Sequence, residues 1–373
     1  MIYFDNAATG GRKPDSVQTA FASAIKVCAN PGRSGHKLSL SCATLVQNCR
    51  YALDGYFNGY GFDQVVFTKN CTEALNIALL GVLEKGDHVI ASCMEHNSVL
   101  RPLEYLRKAG VITYDICPLH EGNIRAEDIA RLLKPNTKMV ALTTASNVTG
   151  AIPTLTAVKK ILPEDTLLLC DGAQGAGHLH LKMQGAGMDL LTIAGHKGML
   201  GAQGSGALLF SPRVSPMPLL YGGTGSMSVS LDMPDFYPDG LEAGTLSVPA
   251  ISSLLEGVRY LTMRQKQIEN TLLELTAYLI NALSFLENFL CYSIPNPCGI
   301  VAFQHKKIPS DTLADLLSSK YNIAVRGGLH CAPLMHEALG TLDCGLVRAS
   351  FSHYNKIREI DELIVALQEL DFL

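Results

Sequence analysis

Between Gln64 and Phe210 short apolar runs alternate with helix-length segments, and this alternation limits the fold more than any other feature of the chain. Strands are predicted at 65–67, 88–91, 111–116, 138–144, 166–170, 190–194 and 206–210, with helices over 72–83, 97–109, 125–133 and 155–161. Near-continuous apolar strands separated by helices build a largely parallel sheet covered on both faces. Upstream, residues 1–12 read as a short strand and turn, followed by helices over 15–29 and 39–57. A stretch rich in Gly, Pro and Ser at 211–250 breaks the rhythm. A long amphipathic helix then runs from about 248 into the 280s, with room for a kink or break. Beyond it lies a shorter α/β set, with strands at 300–304, 323–326 and 347–351 and helices over 310–320 and 357–370. The expected class is therefore α/β: a large domain at 13–255 with a mainly parallel mixed sheet, and a smaller C-terminal α/β domain at 256–373, joined by the N-terminal segment 1–12.

Composition removes several classes of function. The chain has 373 residues, 47% hydrophobic and only 17% charged, which suits a large buried core. No window has the uninterrupted apolar length of a membrane span, and the start, Met1-Ile-Tyr-Phe-Asp5, lacks the regions of a signal peptide. A cytoplasmic protein without a membrane role is expected. A net charge of −4, dispersed basic residues and no Trp argue against a nucleic-acid surface. The eleven cysteines include no C-x-x-C pair, so no zinc or iron–sulfur ligand set is expected. Most read as small core residues.

In open α/β sheets ligands sit beyond the carboxyl ends of the strands, and the informative residues fall there: Thr72, His96, Asn147, Asp171 and Lys197. The strand 190–194 ends in Ala194-Gly195-His196-Lys197, followed by a glycine-rich stretch. A lysine in such a loop is either an ordinary solvated cation or, if it loses solvation, a usable amine nucleophile. Asp171 follows the apolar run Leu167-Leu168-Leu169-Cys170. It serves as a turn former before Gly172, or it meets a cation. Paired, the two have the chemistry that pyridoxal phosphate requires, an amine to attach the cofactor and an acid facing its ring nitrogen. Thr72, in Asn70-Cys71-Thr72-Glu73, opens a helix whose first amides favour an anion, although a simple cap reads the same way. His196 is a second candidate phosphate donor. No Walker-type loop and no dinucleotide fingerprint is present. Cys331, in Arg326-Gly-Gly-Leu-His330-Cys331-Ala-Pro333, lies in a loop beside His and near Arg, where a thiol is either buried and inert or exposed and reactive. Arg348 interrupts an apolar strand and suits a carboxylate, of a substrate or of a structural ion pair.

As a set, these motifs resemble the class V aminotransferase group of pyridoxal-phosphate enzymes, in its cysteine desulfurase/selenocysteine lyase branch. The likeness runs from Tyr3-Phe-Asp-Asn-Ala-Ala-Thr9 to Val347-Arg-Ala-Ser-Phe-Ser-His-Tyr-Asn355. It implies the fold-type I aminotransferase architecture and a homodimer with active sites at the subunit interface. It implies that Lys197 is the Schiff-base lysine, Asp171 the pyridinium partner, Gln174 a donor to the phenolic oxygen and His96 the imidazole stacked on the ring. Thr72, His196 and, from across the interface, Thr245 are the implied phosphate ligands. Arg348, Asn147 and His36 are the implied substrate-binding residues, and Cys331 takes the place of the persulfide-forming cysteine. The implied reaction removes sulfur from L-cysteine to leave L-alanine, with a sulfur-acceptor protein downstream. L-Selenocysteine as substrate is the nearest alternative, transamination of small amino acids a further one. The sequence departs from the family pattern at Ala194 in place of Ser or Thr, Cys71 in place of a second Thr, and Leu329 in place of a His.

Overall fold

The computed structural model describes residues 1–27 and 29–371. In chain order the elements are β1 (Ile2–Tyr3), α1 (Asp15–Val27), α2 (Lys37–Phe57), β2 (Val65–Thr68), α3 (Cys71–Leu80), β3 (His88–Ser92), α4 (Asn97–Lys108), β4 (Thr113–Cys117), α5 (Ala126–Leu132), β5 (Thr137–Thr143), α6 (Leu155–Ile161), β6 (Leu167–Asp171), α7 (Met183–Ala186), β7 (Leu190–Ala194), β8 (Gly206–Phe210), α8 (Val248–Leu283), β9 (Phe289–Cys291), β10 (Ile300–His305), α9 (Ser310–Tyr321), β11 (Ile323–Ala324), α10 (Pro333–Leu339), β12 (Val347–Ser350) and α11 (Ile357–Asp371).

The seven-stranded sheet has the order β2-β8-β7-β6-β5-β3-β4. Five neighbouring strands, β7 to β4, run parallel, and β8 is antiparallel to both β7 and β2. Its apolar runs are explained by burial on two sides. In β6, Leu168 and Cys170 enter one core with α2 and α8, while Leu167 and Leu169 enter the other with α3 and α4. Alternate side chains of a strand face opposite ways, so only a continuous apolar run fills both cores.

The remaining strands form a three-stranded antiparallel sheet, β12-β10-β9, and a parallel pair, β1 with β11. Bridges from Asp5 to Ser350 and from Arg326 to Arg348 tie these together. The amino terminus is therefore held by the C-terminal elements, with Asn6 Nδ2 donating to the Ser350 carbonyl at 2.9 Å.

α8 is the expected long helix, a single unbroken one of 36 residues, without the kink or break that the sequence left room for. Its buried stripe continues through Leu254, Leu261, Ile268, Leu272, Leu275 and Leu279, so the same face stays covered along roughly 54 Å. It packs on α1 and α2 and also on β9, β10 and α11. The four-residue α7, β9 and α10 were not predicted. β9 has only three residues, and α10 starts at Pro333 directly after a Gly-rich loop, so neither offers a full period to recognise.

At Gly257 α8 closely approaches the loop after β7. A Cβ there would lie 2.2 Å from the Met199 carbonyl oxygen. The obstacle is backbone, so Gly257→Ala should destabilise the protein by about 1–3 kcal/mol despite the better helix propensity of Ala. The midpoint of urea unfolding measures this.

Candidate active site

The parallel strands end at one edge of the sheet, and their following turns carry the polar residues. β6 delivers Asp171, 3% exposed. A buried carboxylate needs donors, and its Oδ1 accepts from the Ala173 amide at 2.9 Å and faces Cys71 Sγ at 3.4 Å. Cys71, at the start of α3, also contacts Thr192 Oγ1 at 3.3 Å. Neither bond uses Oδ2. β7 ends at Ala194, and Gly195 turns the chain where a Cβ would collide with Ser205 Oγ at 2.1 Å. Two residues later comes Lys197, whose amine is held below the ordinary lysine range by burial, against the opposing pull of Asp171. The free-base fraction is thereby raised, as a nucleophile or proton acceptor requires.

β3 leads to His96, the N-cap of α4. Its Nδ1 accepts from the Ser98 amide at 3.0 Å, which leaves the proton on Nε2. Burial, ahead of the opposing Asp171, pushes its pKa down to about 4, so the ring is neutral at physiological pH. At the start of α3, Asn70 supplies the cap by accepting from the Glu73 amide at 2.9 Å. Thr72 is thus free of capping, and its hydroxyl meets Ser98 Oγ at 2.9 Å beside the first-turn amides. His196 is held by the N-terminal segment: Nδ1 meets Thr9 Oγ1 at 3.0 Å, and Lys13 Nζ donates to its carbonyl at 2.6 Å. Burial pushes Lys13 down to about 8 and His196 to about 4.

Seven of the expected residues, Thr72, His96, Asn147, Asp171, Gln174, His196 and Lys197, line one cleft of about 500 Å³. Ala194 lies in its wall and contributes only a methyl group where a hydroxyl was expected. Gln174 donates Nε2 to the Ala7 carbonyl at 3.0 Å. Asn147 donates Nδ2 to the His330 carbonyl at 2.7 Å, and its Oδ1 is buried without a partner. Arg348 is 1% exposed and lies behind this wall. It donates to the Asn147 carbonyl at 2.9 Å and to Asp5 Oδ1 at 3.0 Å, while its buried Nε has no partner. The structural ion pair weighed for it is therefore present, and the Nε–H is left over. His36 is elsewhere, capping α2 by accepting from the Ser39 amide. Thr245 borders a separate pocket beside Glu242, which forms a buried ion pair with Arg50.

The family model described as aminotransferase class-V matches residues 2–363. The chain belongs to this family. A probable cysteine desulfurase of Methanothermobacter thermautotrophicus is 32% identical, the match covering 99% of this chain and 94% of that protein. An apo structure of the cysteine desulfurase from Thermococcus onnurineus superposes with a TM-score of 0.89 at 29% identity, covering 99% of this chain and 94% of that one. The Escherichia coli cysteine desulfurase CsdA gives 0.88 at 27% identity, covering 100% and 95%.

The residues of this class-V chain fit pyridoxal phosphate. The cleft offers an amine, an unused carboxylate oxygen, a neutral imidazole, a helix start suited to phosphate, and the unpartnered Asn147 Oδ1 at its edge. At its mouth a more open pocket shares Thr72 and His96 and is bordered by Cys331. The Cys331 thiol is exposed, with Arg326 Nη2 4.0 Å from Sγ. His330 and Cys331 both take left-handed backbone angles, φ 50° and 57°, immediately before α10. Among the described residues no His, Cys, Asp or Glu cluster could hold a metal, and seven of the ten cysteines are buried. No helix of the described residues is long and apolar enough to cross a membrane.

Sequence reasoning missed Glu95. Its Oε1 accepts from the Thr143 amide at 2.9 Å and from Ser92 Oγ, linking the ends of β3 and β5 beneath His96, and its Oε2 has no partner. Beside a histidine in sequence it looks like an ordinary surface acid, because burial is invisible there. Burial pushes its carboxyl from 4.5 up to about 8. A raised acid pKa means that the folded state holds a proton that the unfolded chain releases, so this group costs stability progressively as pH rises from about 4.5 to 8. Glu95→Gln should therefore gain on the natural protein across that window, by a few kcal/mol at pH 8 and by little at pH 4.5. Urea midpoints measured against pH test the sign.

Proposed function

We propose that the protein is a pyridoxal-phosphate-dependent cysteine desulfurase, which takes sulfur from L-cysteine and leaves L-alanine and a persulfide on Cys331. The observation that carries this reading is the exposed Cys331 thiol at the mouth of the Lys197–Asp171 cleft, bordering with His96 and Thr72 the pocket that opens from it. When bound, pyridoxal phosphate supplies an electron sink for charge developing at the substrate Cα. The chain supplies the rest. The first-turn amides of α3, Thr72 and His196 would hold the phosphate. With the group bound, Asp171 Oδ2 would face the ring nitrogen and hold its proton, His96 would offer a neutral imidazole to the ring, and Gln174 would offer an amide to the phenolic oxygen. Asn147 and Arg348 receive the substrate carboxylate. Lys197 removes the Cα proton as general base. The Cys331 thiolate attacks the substrate sulfur; an S–S bond forms, the Cβ–S bond breaks, the electron pair left at Cβ takes up a proton, and protonated Lys197 returns a proton to Cα to complete alanine.

The same reading makes the protein a homodimer, with Thr245 of each subunit completing the phosphate site of the other. Val229 and Leu231 are fully exposed, and Met217, Leu220, Tyr221 and Phe236 of the same segment are exposed as well, an apolar surface that suits a second subunit. A thiol-bearing sulfur acceptor and a cytoplasmic setting, where thiols stay reduced, accompany this function.

The test is substrate profiling of the holoprotein with L-cysteine, L-selenocysteine and cysteine sulfinate. Alanine formed in stoichiometric amount from L-cysteine supports the proposal. Turnover of L-selenocysteine alone would make the protein a selenocysteine lyase. Pyridoxamine phosphate with a keto acid would make it a transaminase, and a chain that takes up no pyridoxal phosphate would not be an enzyme of this kind.

A further inference from the structure

Cys331 borders the outer pocket and not the cleft that holds Lys197, so a sulfur carried on it is presented to that outer space. The pocket encloses about 940 Å³, the size of a site for a small molecule and far more than a sulfur atom needs. α3 and α4 wall it, and α4 contributes Arg101 and Tyr105, whose ring is 65% exposed. Arg101 is the single full charge in the lining: no Asp or Glu lines the pocket, and burial keeps His96 neutral. Glu104, the one acid of α4, is held by Arg107 at 2.8 Å and does not serve Arg101. A second guanidinium stands at the same edge, with Arg326 Nη2 4.0 Å from Cys331 Sγ. Both arginines oppose protonation of His96, so their fields reach the inner end of the pocket. An open pocket with cations and no acid draws anions.

We propose that this outer pocket is an acceptor site for a small thiol that carries a carboxylate, with Arg101 holding the carboxylate while the thiol reaches Cys331. The inference rests on the reading of Cys331 as the sulfur-accepting thiol and names what discharges it. The amino-acid substrate does not need Arg101, because Asn147 and the leftover Arg348 Nε–H serve its carboxylate. The transfer needs no further reactant. The acceptor thiolate attacks the outer sulfur of the Cys331 persulfide, and a new S–S bond forms on the acceptor. The old S–S bond breaks, and its electron pair returns to the Cys331 sulfur together with the charge that the acceptor brought. The product leaves as a small persulfide, and Cys331 is ready for another turnover.

A single-turnover transfer on the holoprotein tests this. An equimolar amount of L-cysteine loads Cys331, free amino acid is removed, and the persulfide is followed by mass spectrometry of the alkylated peptide that carries Cys331. Its loss is timed with mercaptopropionate, mercaptoethanol and cysteamine (anionic, neutral and cationic), compared at equal thiolate concentration. The anionic thiol should act roughly fivefold or more faster than the cationic one, the scale of one ion pair at a partly exposed site, and its rate should saturate. Added salt should narrow the gap. Arg101→Lys should keep most of it, Arg101→Gln should close it and Arg101→Glu should reverse it. Equal rates with the three thiols would overturn the proposal, as would a preference that persists in folded Arg101→Gln. A persulfide that none of the three consumes would refute it in favour of a protein acceptor. If L-cysteine leaves no persulfide on Cys331, the desulfurase reading fails and this inference with it; a persulfide discharged without regard to charge sinks this inference alone.

Discussion

Cys331→Ala should bind pyridoxal phosphate with undiminished colour yet lose alanine formation from L-cysteine by on the order of a hundredfold or more, because the group that takes the sulfur is gone. Colour and turnover separate because the thiol stands at the mouth of the cleft and no cofactor-facing residue bonds its side chain. The position is also left-handed, so an alanine there keeps the strain of the natural residue. Cys331→Gly relieves that strain and should be the more stable variant, by about 1 kcal/mol, while remaining equally inactive. If both variants release sulfur from L-cysteine at the natural rate, Cys331 is not the acceptor.

Lys197→Ala should remove both the covalent hold on the cofactor and the general base. Borohydride should then fix no cofactor to the chain, and turnover should fall by on the order of 10³-fold, within the range lost with a positioned proton acceptor. The amine is placed by features remote in sequence. Gly195 lets the chain turn against Ser205, and Lys13 and Thr9 hold the neighbouring His196. The depressed lysine pKa has burial as its leading cause and Asp171 as the chief opposing one. An exposed lysine would keep its ordinary pKa and be largely protonated at neutral pH. Added methylamine restoring part of the turnover of Lys197→Ala would place the loss on the missing amine and not on misfolding.

Much of the large sheet was legible because its strands are buried on both faces. A run such as Leu167-Leu168-Leu169-Cys170 admits few other uses, and the polar residue that ends each run marks the edge where the site forms. The long helix was harder to read. The sequence left room for a kink or break, whereas the buried stripe from Leu254 to Leu279 runs through unbroken. The short β9 and α10 escaped notice because three residues and seven are too few to show a period. Arg348 had two readings, and both leave marks in the structure: a bond to Asp5 and an unpartnered buried Nε.

The sequence by itself determined the α/β class, the strand order along the chain and the chemical types at the strand ends, because each depends on local periodicity and on residues adjacent in the chain. Tertiary structure alone decided which of those residues meet. It set Cys71 on Asp171 across 100 residues, hung His196 from Thr9 across 187, and buried Glu95 and His330. Desolvation and hydrogen-bond partnership depend on what packs against a group in space, and no local pattern records them.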